Sequence, residues 1–281
     1  MAQEELLLNN KCLSIVDTHC HIDLERYFPD CDSVVARSHA AGVTNLVLAG
    51  VDRVGWQRMI ELSKRYPGVH AAPGMHPMYL DNHRPGDLEV LAELVRTGSV
   101  VAIGEVGLDY HIENADRSAQ QELFEAQIDI AARMHVPLLL HVRKAHDQVL
   151  ATLRRKKFSE GGIVHAFNGS LQQAGQFISL GFMIGVCGTI TYDRARKIRR
   201  VAAELPLKVL VLETDAPDIP PASHWGEMNS PEYLPEILRA LTSIRSEKDD
   251  EIARQTTENA CNVLGLKQHP ENPLLRFASH V

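Results

Sequence analysis

The chain has 281 residues, 44% of them apolar, with 29 basic against 36 acidic side chains and a net charge of −7. This is the composition of an ordinary globular chain with a sizeable core; it excludes fibrous and low-complexity classes, and its acidic balance leaves any binding of anions to local clusters. Cys12, Cys20, Cys31, Cys187 and Cys261 are scattered, odd in number and form no CxxC pair, which excludes a disulfide framework and fits reduced thiols.

In chain order, the first ten residues, MAQEELLLNN, are acidic with a short leucine run, unlike a secretory signal, and no later segment approaches the roughly 20 apolar residues of a spanning helix. A soluble, cytoplasmic protein with no membrane partner is expected. Eight nearly continuous apolar runs follow: LSIVD to Asp17, TNLVLAG to Gly50, GVHAAP to Pro73, VVAIGE to Glu105, VPLLLH to His141, GGIVHA to Ala166, GFMIGV to Val186 and KVLVLET to Thr214. Such runs mark strands buried on both faces of a parallel sheet.

Helix signals lie between them. SHAAG closes a helix at Gly42, Ser170 with Gln173 forms a capping box, and Ser230 before Pro231 marks another start. The alternation predicts an α/β protein, a single (β/α)8 TIM barrel over residues 13–266, although periodicity alone leaves an open doubly wound sheet possible. An added C-terminal helix is expected in SEKDDEIARQTTENACNVLGL, with residues 1–12 an N-terminal extension and 267–281 a peripheral tail.

The unusual polar residues fall at one end of this map. His19 and His21 follow the first strand, Glu105 ends the fourth, His141 the fifth and His165 the sixth, and Asp215 follows the eighth. Barrel active sites are built at the carboxyl ends of the strands. A lone histidine at a strand end is usually a hydrogen-bonded rim residue; six metal-binding side chains converging at one end are not explained that way. His19 and His21, at i and i+2, share a face of an extended segment and can chelate one ion while Cys20 points away. Four imidazoles and two carboxylates suit one or two divalent ions, zinc first, with manganese or magnesium as alternatives, and Glu105 is the candidate bridge.

A bound ion lowers the pKa of its water from about 15.7 towards 7, and Asp215 is the candidate to take that proton. Asp17 is a candidate to orient a ligand imidazole from behind. Arg143, two positions past His141, is a candidate phosphate contact or a surface ion pair. His76, in GMHP, is a candidate substrate contact or proton donor, with a structural hydrogen bond the plainer reading. The basic runs RRKK (154–157) and 194–200 fall on predicted helices, where charge usually faces water.

The segments DTHCHID, GMHP, GEVGLDY, HVRKAHD, HAFNG and ETDAP occur in this order from residue 17 onward. Together they resemble the TatD-type metal-dependent hydrolases, a branch of the amidohydrolase superfamily. GSLQQAGQFISLGFMIGVCGTITY and VLETDAPD point to its YjjV-like subgroup. The resemblance implies a TIM barrel with a mono- or dinuclear centre on His19, His21, Glu105, His141, His165 and Asp215. It also implies hydrolysis of DNA, in some members from the 3′ end. Two positions depart from the pattern. Met228 precedes Asn229 where nuclease-like members often carry a basic residue, and Ala166 stands where Cys or Ser is frequent. The alternatives are hydrolysis of a C–N or ester bond in a small molecule, including a small phosphate-containing one, and a metal-stabilised binding protein without catalysis. No obligatory protein partner is implied, and the oligomeric state is left open.

Overall fold

The computed structural model describes residues 14–24 and 30–267, so the N-terminal extension, Cys12 and the tail from 268 onward lie outside the described residues. Eight parallel strands alternate with helices: β1 (Ile15–Cys20), β2 (Val43–Ala49), β3 (Val69–Ala72), β4 (Ile103–Asp109), β5 (Leu138–Arg143), β6 (Gly162–Val164), β7 (Phe182–Val186) and β8 (Leu210–Leu212). The intervening helices are α1 (Cys31–Ala40), α2 (Arg53–Arg65), α3 (Asp87–Arg96), α4 (Arg117–Met134), α5 (His146–Lys156), α6 (Leu171–Ile178), α7 (Arg196–Glu204) and α8 (Leu234–Thr242), followed by the added helix α9 (Asp249–Leu264).

β1 to β3 pair in chain order, as do β4 to β8. Backbone hydrogen bonds from Val101 to Ala71 (3.0 Å) and from Gly104 to Pro73 (3.2 Å) join the two groups. At the other seam Asp215 N–H donates to His19 O (2.8 Å) and His21 N–H to Ala216 O (2.7 Å). The sheet therefore closes on itself, the (β/α)8 barrel, and the open-sheet alternative falls away.

Side-chain alternation along the strands builds two cores. Outward residues such as Ile15, Leu46, Leu48, Leu138, Leu140, Leu210 and Leu212 meet the helices. Inward residues Val16, Val47, Ala49, Ala72, Leu139, Ile163 and Val211 fill the barrel together with Ala260, Cys261, Leu264 and Leu266 from α9 and the residues just after it. The end of α9 thus floors the barrel at the amino-terminal side of its strands. Cys20, Cys31, Cys187 and Cys261 are buried and free.

The Ser170–Gln173 capping box forms as expected, and α1 ends before Gly42, whose φ of 88° suits a residue without Cβ. Ser230 differs from expectation. It precedes a short 3₁₀ turn (Pro231–Tyr233) without a side-chain cap, and α8 starts only at Leu234. β4 also differs: Glu105 lies inside it, and the strand continues to Asp109. A polar residue need not end a strand whose inner face is itself polar. No helix among the described residues is long and apolar enough to cross a membrane.

Candidate metal centre

The six candidate ligands converge in the upper half of the barrel interior. The seam between β1 and β8 sets His19 and His21 beside Asp215, whose backbone is left-handed (φ 61°), a conformation Asp tolerates better than most residues. His19 Nε2 lies 3.3 Å from His21 Nε2, 3.1 Å from Glu105 Oε2 and 3.7 Å from Asp215 Oδ1. His165 Nε2 is 3.5 Å from Asp215 Oδ1 and 4.0 Å from Glu105 Oε1. His141 Nδ1 reaches Glu105 Oε1 at 2.6 Å. Glu105 therefore turns one oxygen to His19 and His21 and the other to His141, His165 and His76.

What fixes three of the imidazoles lies behind them, whereas His19 Nδ1 is buried without a hydrogen-bond partner. His21 Nδ1–H donates to Ala49 O (2.8 Å), His141 Nε2–H to Asp109 Oδ2 (3.0 Å), and His165 Nδ1 faces Glu213 Oε1 at 3.1 Å. These contacts leave the lone pairs of His21 Nε2, His141 Nδ1 and His165 Nε2 aimed inward. Asp109 and Glu213 are both fully buried, and neither was singled out from sequence. Their signal was spacing: Asp109 is four residues past Glu105 on the same strand face, and Glu213 precedes Asp215 by two. Gly185 makes room for the second of them, since a Cβ there would stand 2.6 Å from the Glu213 carboxylate oxygens.

Asp17 does not orient an imidazole. Its carboxylate accepts the Thr214 N–H (2.9 Å) and hydroxyl (2.5 Å) and the His19 backbone N–H (3.2 Å), which pins the β1–β8 seam. Burial pushes its pKa up to about 7.

His76 joins the cluster in a distinct role. Its Nδ1 accepts the Met78 N–H (3.0 Å), so its proton sits on Nε2, 3.2 Å from Glu105 Oε1. It is a donor pointing inward rather than a lone pair. Burial holds it below the ordinary histidine range. Arg143, at the mouth end of β5, is half-exposed, with Nη1 3.9 Å from Asp109 Oδ2. Next to it opens a cleft of about 400 Å³ lined by Tyr110, His111, Arg117 and Lys144 among others. Asn229 is buried and its amide donates to Thr214 O (2.8 Å) and Asp218 O (2.7 Å), so it shapes the β8 loop, while Met228 beside it faces solvent. RRKK behaves as a solvated face: Arg155 pairs with Glu125 and Lys156 with Asp129.

The donor set fits divalent cations. Burial alone would raise Glu105, but the imidazoles of His76, His19 and His141 hold it well below the usual carboxylate range. Burial would likewise lower His165 and His21, yet the carboxylates of Asp215, Glu213 and Glu105 bring His165 to about 10, and Asp215 and Glu105 bring His21 to about 9. His141 rises to about 9 against burial, through Glu105 and Asp109. Three of the cluster's imidazoles thus favour positive charge, while burial lowers His19 and His76. Facing ring nitrogens 3.3 Å apart, such as those of His19 and His21, are what two lone pairs do around a cation. His19, His21 and Glu105, and likewise His19, His165 and Asp215, each bring their ligand atoms within 4.8 Å of one another.

Comparison with known proteins identifies the family. A family described as TatD related DNase matches residues 16–265. The uncharacterised metal-dependent hydrolase YjjV of Escherichia coli (strain K12) is 40% identical over 246 residues, covering 87% of this chain and 95% of that one. Its crystal structure superposes with a TM-score of 0.88 over 92% of this chain and 100% of that chain. A protein of Klebsiella pneumoniae (strain 342) named 3′-5′ ssDNA/RNA exonuclease TatD is 33% identical over 258 residues, covering 89% of this chain and 97% of that one. A family match spanning nearly the whole barrel, together with relatives above 30% identity over most of their length, places the chain in the TatD family of metal-dependent hydrolases.

Proposed function

We propose that this chain is a phosphodiesterase that removes nucleotides from the 3′ end of single-stranded DNA. His19, His21, Glu105, His141, His165 and Asp215 would hold one or two divalent ions, zinc first. The observation that carries the reading is the pairing of that cluster with two donors beside it on the β3 and β5 sides of Glu105: His76 Nε2–H, 3.2 Å from Glu105 Oε1, and the half-exposed Arg143 guanidinium, 3.9 Å from Asp109 Oδ2. An amide or neutral ester offers no second charged oxygen for such a pair. The name of the Klebsiella relative supports the same substrate class.

A divalent ion in this cluster supplies Lewis acidity and makes water acidic enough to ionise near neutral pH. The chain's own groups do the rest. Asp215 orients the attacking water and accepts its proton on the carboxylate, while Asp109 and Glu213 keep the rings of His141 and His165 turned inward. His76 donates from Nε2 to a non-bridging phosphate oxygen. Arg143, half-exposed and with planar paired donors, takes another and offsets the charge that grows in the transition state.

The test is turnover of 3′-labelled single-stranded DNA by zinc- or manganese-supplemented protein beside Asp215→Asn. The expected result is nucleotide release by the wild type, reduced roughly 10²–10⁴-fold in the variant. Intact DNA together with Asp215-dependent cleavage of a small ester or amide would move the function to a metabolite hydrolase on the same residues. Met228, which leaves its loop without a cation at that position, is the feature that favours this second reading.

A further inference from the structure

Among the described residues, the large hydrophobic side chains left exposed are Val54, Met78, Tyr79, Trp225 and Met228. Each lies between the carboxyl end of a strand and the body of the next helix. Val54 is in the first turn of α2, Met78 and Tyr79 are in the 3₁₀ turn Pro77–Asn82, and Trp225 and Met228 lie between β8 and α8. This is the face onto which the metal cluster opens, and an apolar rim around a polar centre marks a binding surface rather than scattered exposure.

Trp225, 71% exposed, is held in a defined arrangement. Its ring meets Tyr192 edge-on, with centroids 6.1 Å apart at 83°. The Arg194 guanidinium stands 5.7 Å from the Trp225 ring centre and 5.4 Å from that of Tyr192. The Tyr192 hydroxyl donates to Pro220 O (2.9 Å) and the Ala222 N–H to Thr191 Oγ1 (2.8 Å). These bonds tie the β7 loop to the same β8 loop that begins at Asp215. A cation set between two aromatic rings, in a chain of net charge −7, is local charge placed where the overall balance opposes it.

We infer that Trp225, Tyr192 and Arg194 form a stacking platform for a nucleobase of the single strand whose end lies in the metal centre. The inference rests on the phosphodiesterase reading and extends it to how the strand is held. Every base has a π-face, so stacking on an aromatic ring is tolerant of sequence, and a neighbouring guanidinium serves both the ring and the adjoining phosphate. In a duplex those faces are already stacked, so the platform selects single strands.

The experiment compares wild type, Trp225→Ala, Trp225→Phe and Arg194→Ala, all metal-loaded, on a short single-stranded deoxyoligonucleotide and on bis(4-nitrophenyl) phosphate. Binding of the oligonucleotide to Asp215→Asn is followed by tryptophan emission, which Trp225 dominates as a reporter because the other tryptophan, Trp56, is buried. The expected result is emission quenching on binding and a KM for the oligonucleotide raised about tenfold in Trp225→Ala, the lower end of one base–aromatic stack. Trp225→Phe restores most of the loss, and Arg194→Ala flattens the salt dependence of KM. An unchanged KM in Trp225→Ala with DNA still degraded overturns the platform and leaves the nuclease reading intact. An equal loss on both substrates also overturns it, as the mark of a merely structural role. Quenching without cleavage supports the platform and overturns the nuclease reading.

Discussion

His141 offers the centre its Nδ1 because Asp109 holds the proton on Nε2, and Glu213 stands behind His165 in the same way. Carboxylates of this kind tune affinity by fixing ring orientation and basicity. Asp109→Asn and Glu213→Gln should therefore each weaken zinc binding about 10- to 100-fold, read by competition with a chromophoric chelator. Unchanged affinity in both would show that the rings are held by packing alone. At this scale the sequence was a good guide to groups that end up pointing at one another from strand ends. His19, His21, Glu105, His141, His165 and Asp215 converge as their positions implied. It was a poor guide to groups that meet across strands. Asp109 reaches His141 only through the β4–β5 register, and Asp17 reaches Thr214 only because the barrel closes. Neither pairing is written in local spacing, which is why Asp17 was expected behind an imidazole and instead holds a seam.

At the scale of elements, apolar runs located all eight strands, since strands covered on both faces leave little room for polar residues. The exception is instructive. Glu105 looked like the end of β4 because the pattern turns polar there, yet the upper interior of this barrel is polar by design and the strand runs on to Asp109. The capping box on α6 was legible because it is a purely local exchange. Ser170→Ala should cost about 1 kcal/mol in urea unfolding, with the Gln173 backbone N–H left without its acceptor. α9 carries more. Leu264 is buried in the barrel floor, and Leu264→Ala should cost about 3 kcal/mol from lost contact and residual cavity. A loss below about 1 kcal/mol would mean that the floor collapses onto the gap.

For the whole molecule, metal and pH act on the same charges. Without metal, His21, His141 and His165 titrate in the fold at about 9, 9 and 10, above the ordinary histidine value. Groups raised in this way add stability that is fully present below about pH 6.5 and is lost as pH rises through the folded values. Asp17, raised to about 7 by burial, acts in the same direction from lower pH. Metal bound at these residues would displace those imidazole protons, so its affinity should grow as pH rises. Melting of chelator-treated protein should therefore fall between about pH 6.5 and 9.5 while the zinc-loaded form holds, and the gap between them should widen. A gap that stays constant with pH would show that the imidazoles are neutral in the metal-free fold.

The floor laid by α9 has a further meaning for traffic. A tube stoppered at one end has a single door, and here that door is the rim that carries Trp225 and Tyr79. A product must leave by the way its substrate came in. For the activity we propose, a departing mononucleotide and an arriving terminus would share that opening, so the released product should compete with fresh strand, and the pace of repeated cleavage should be set as much by exit as by chemistry.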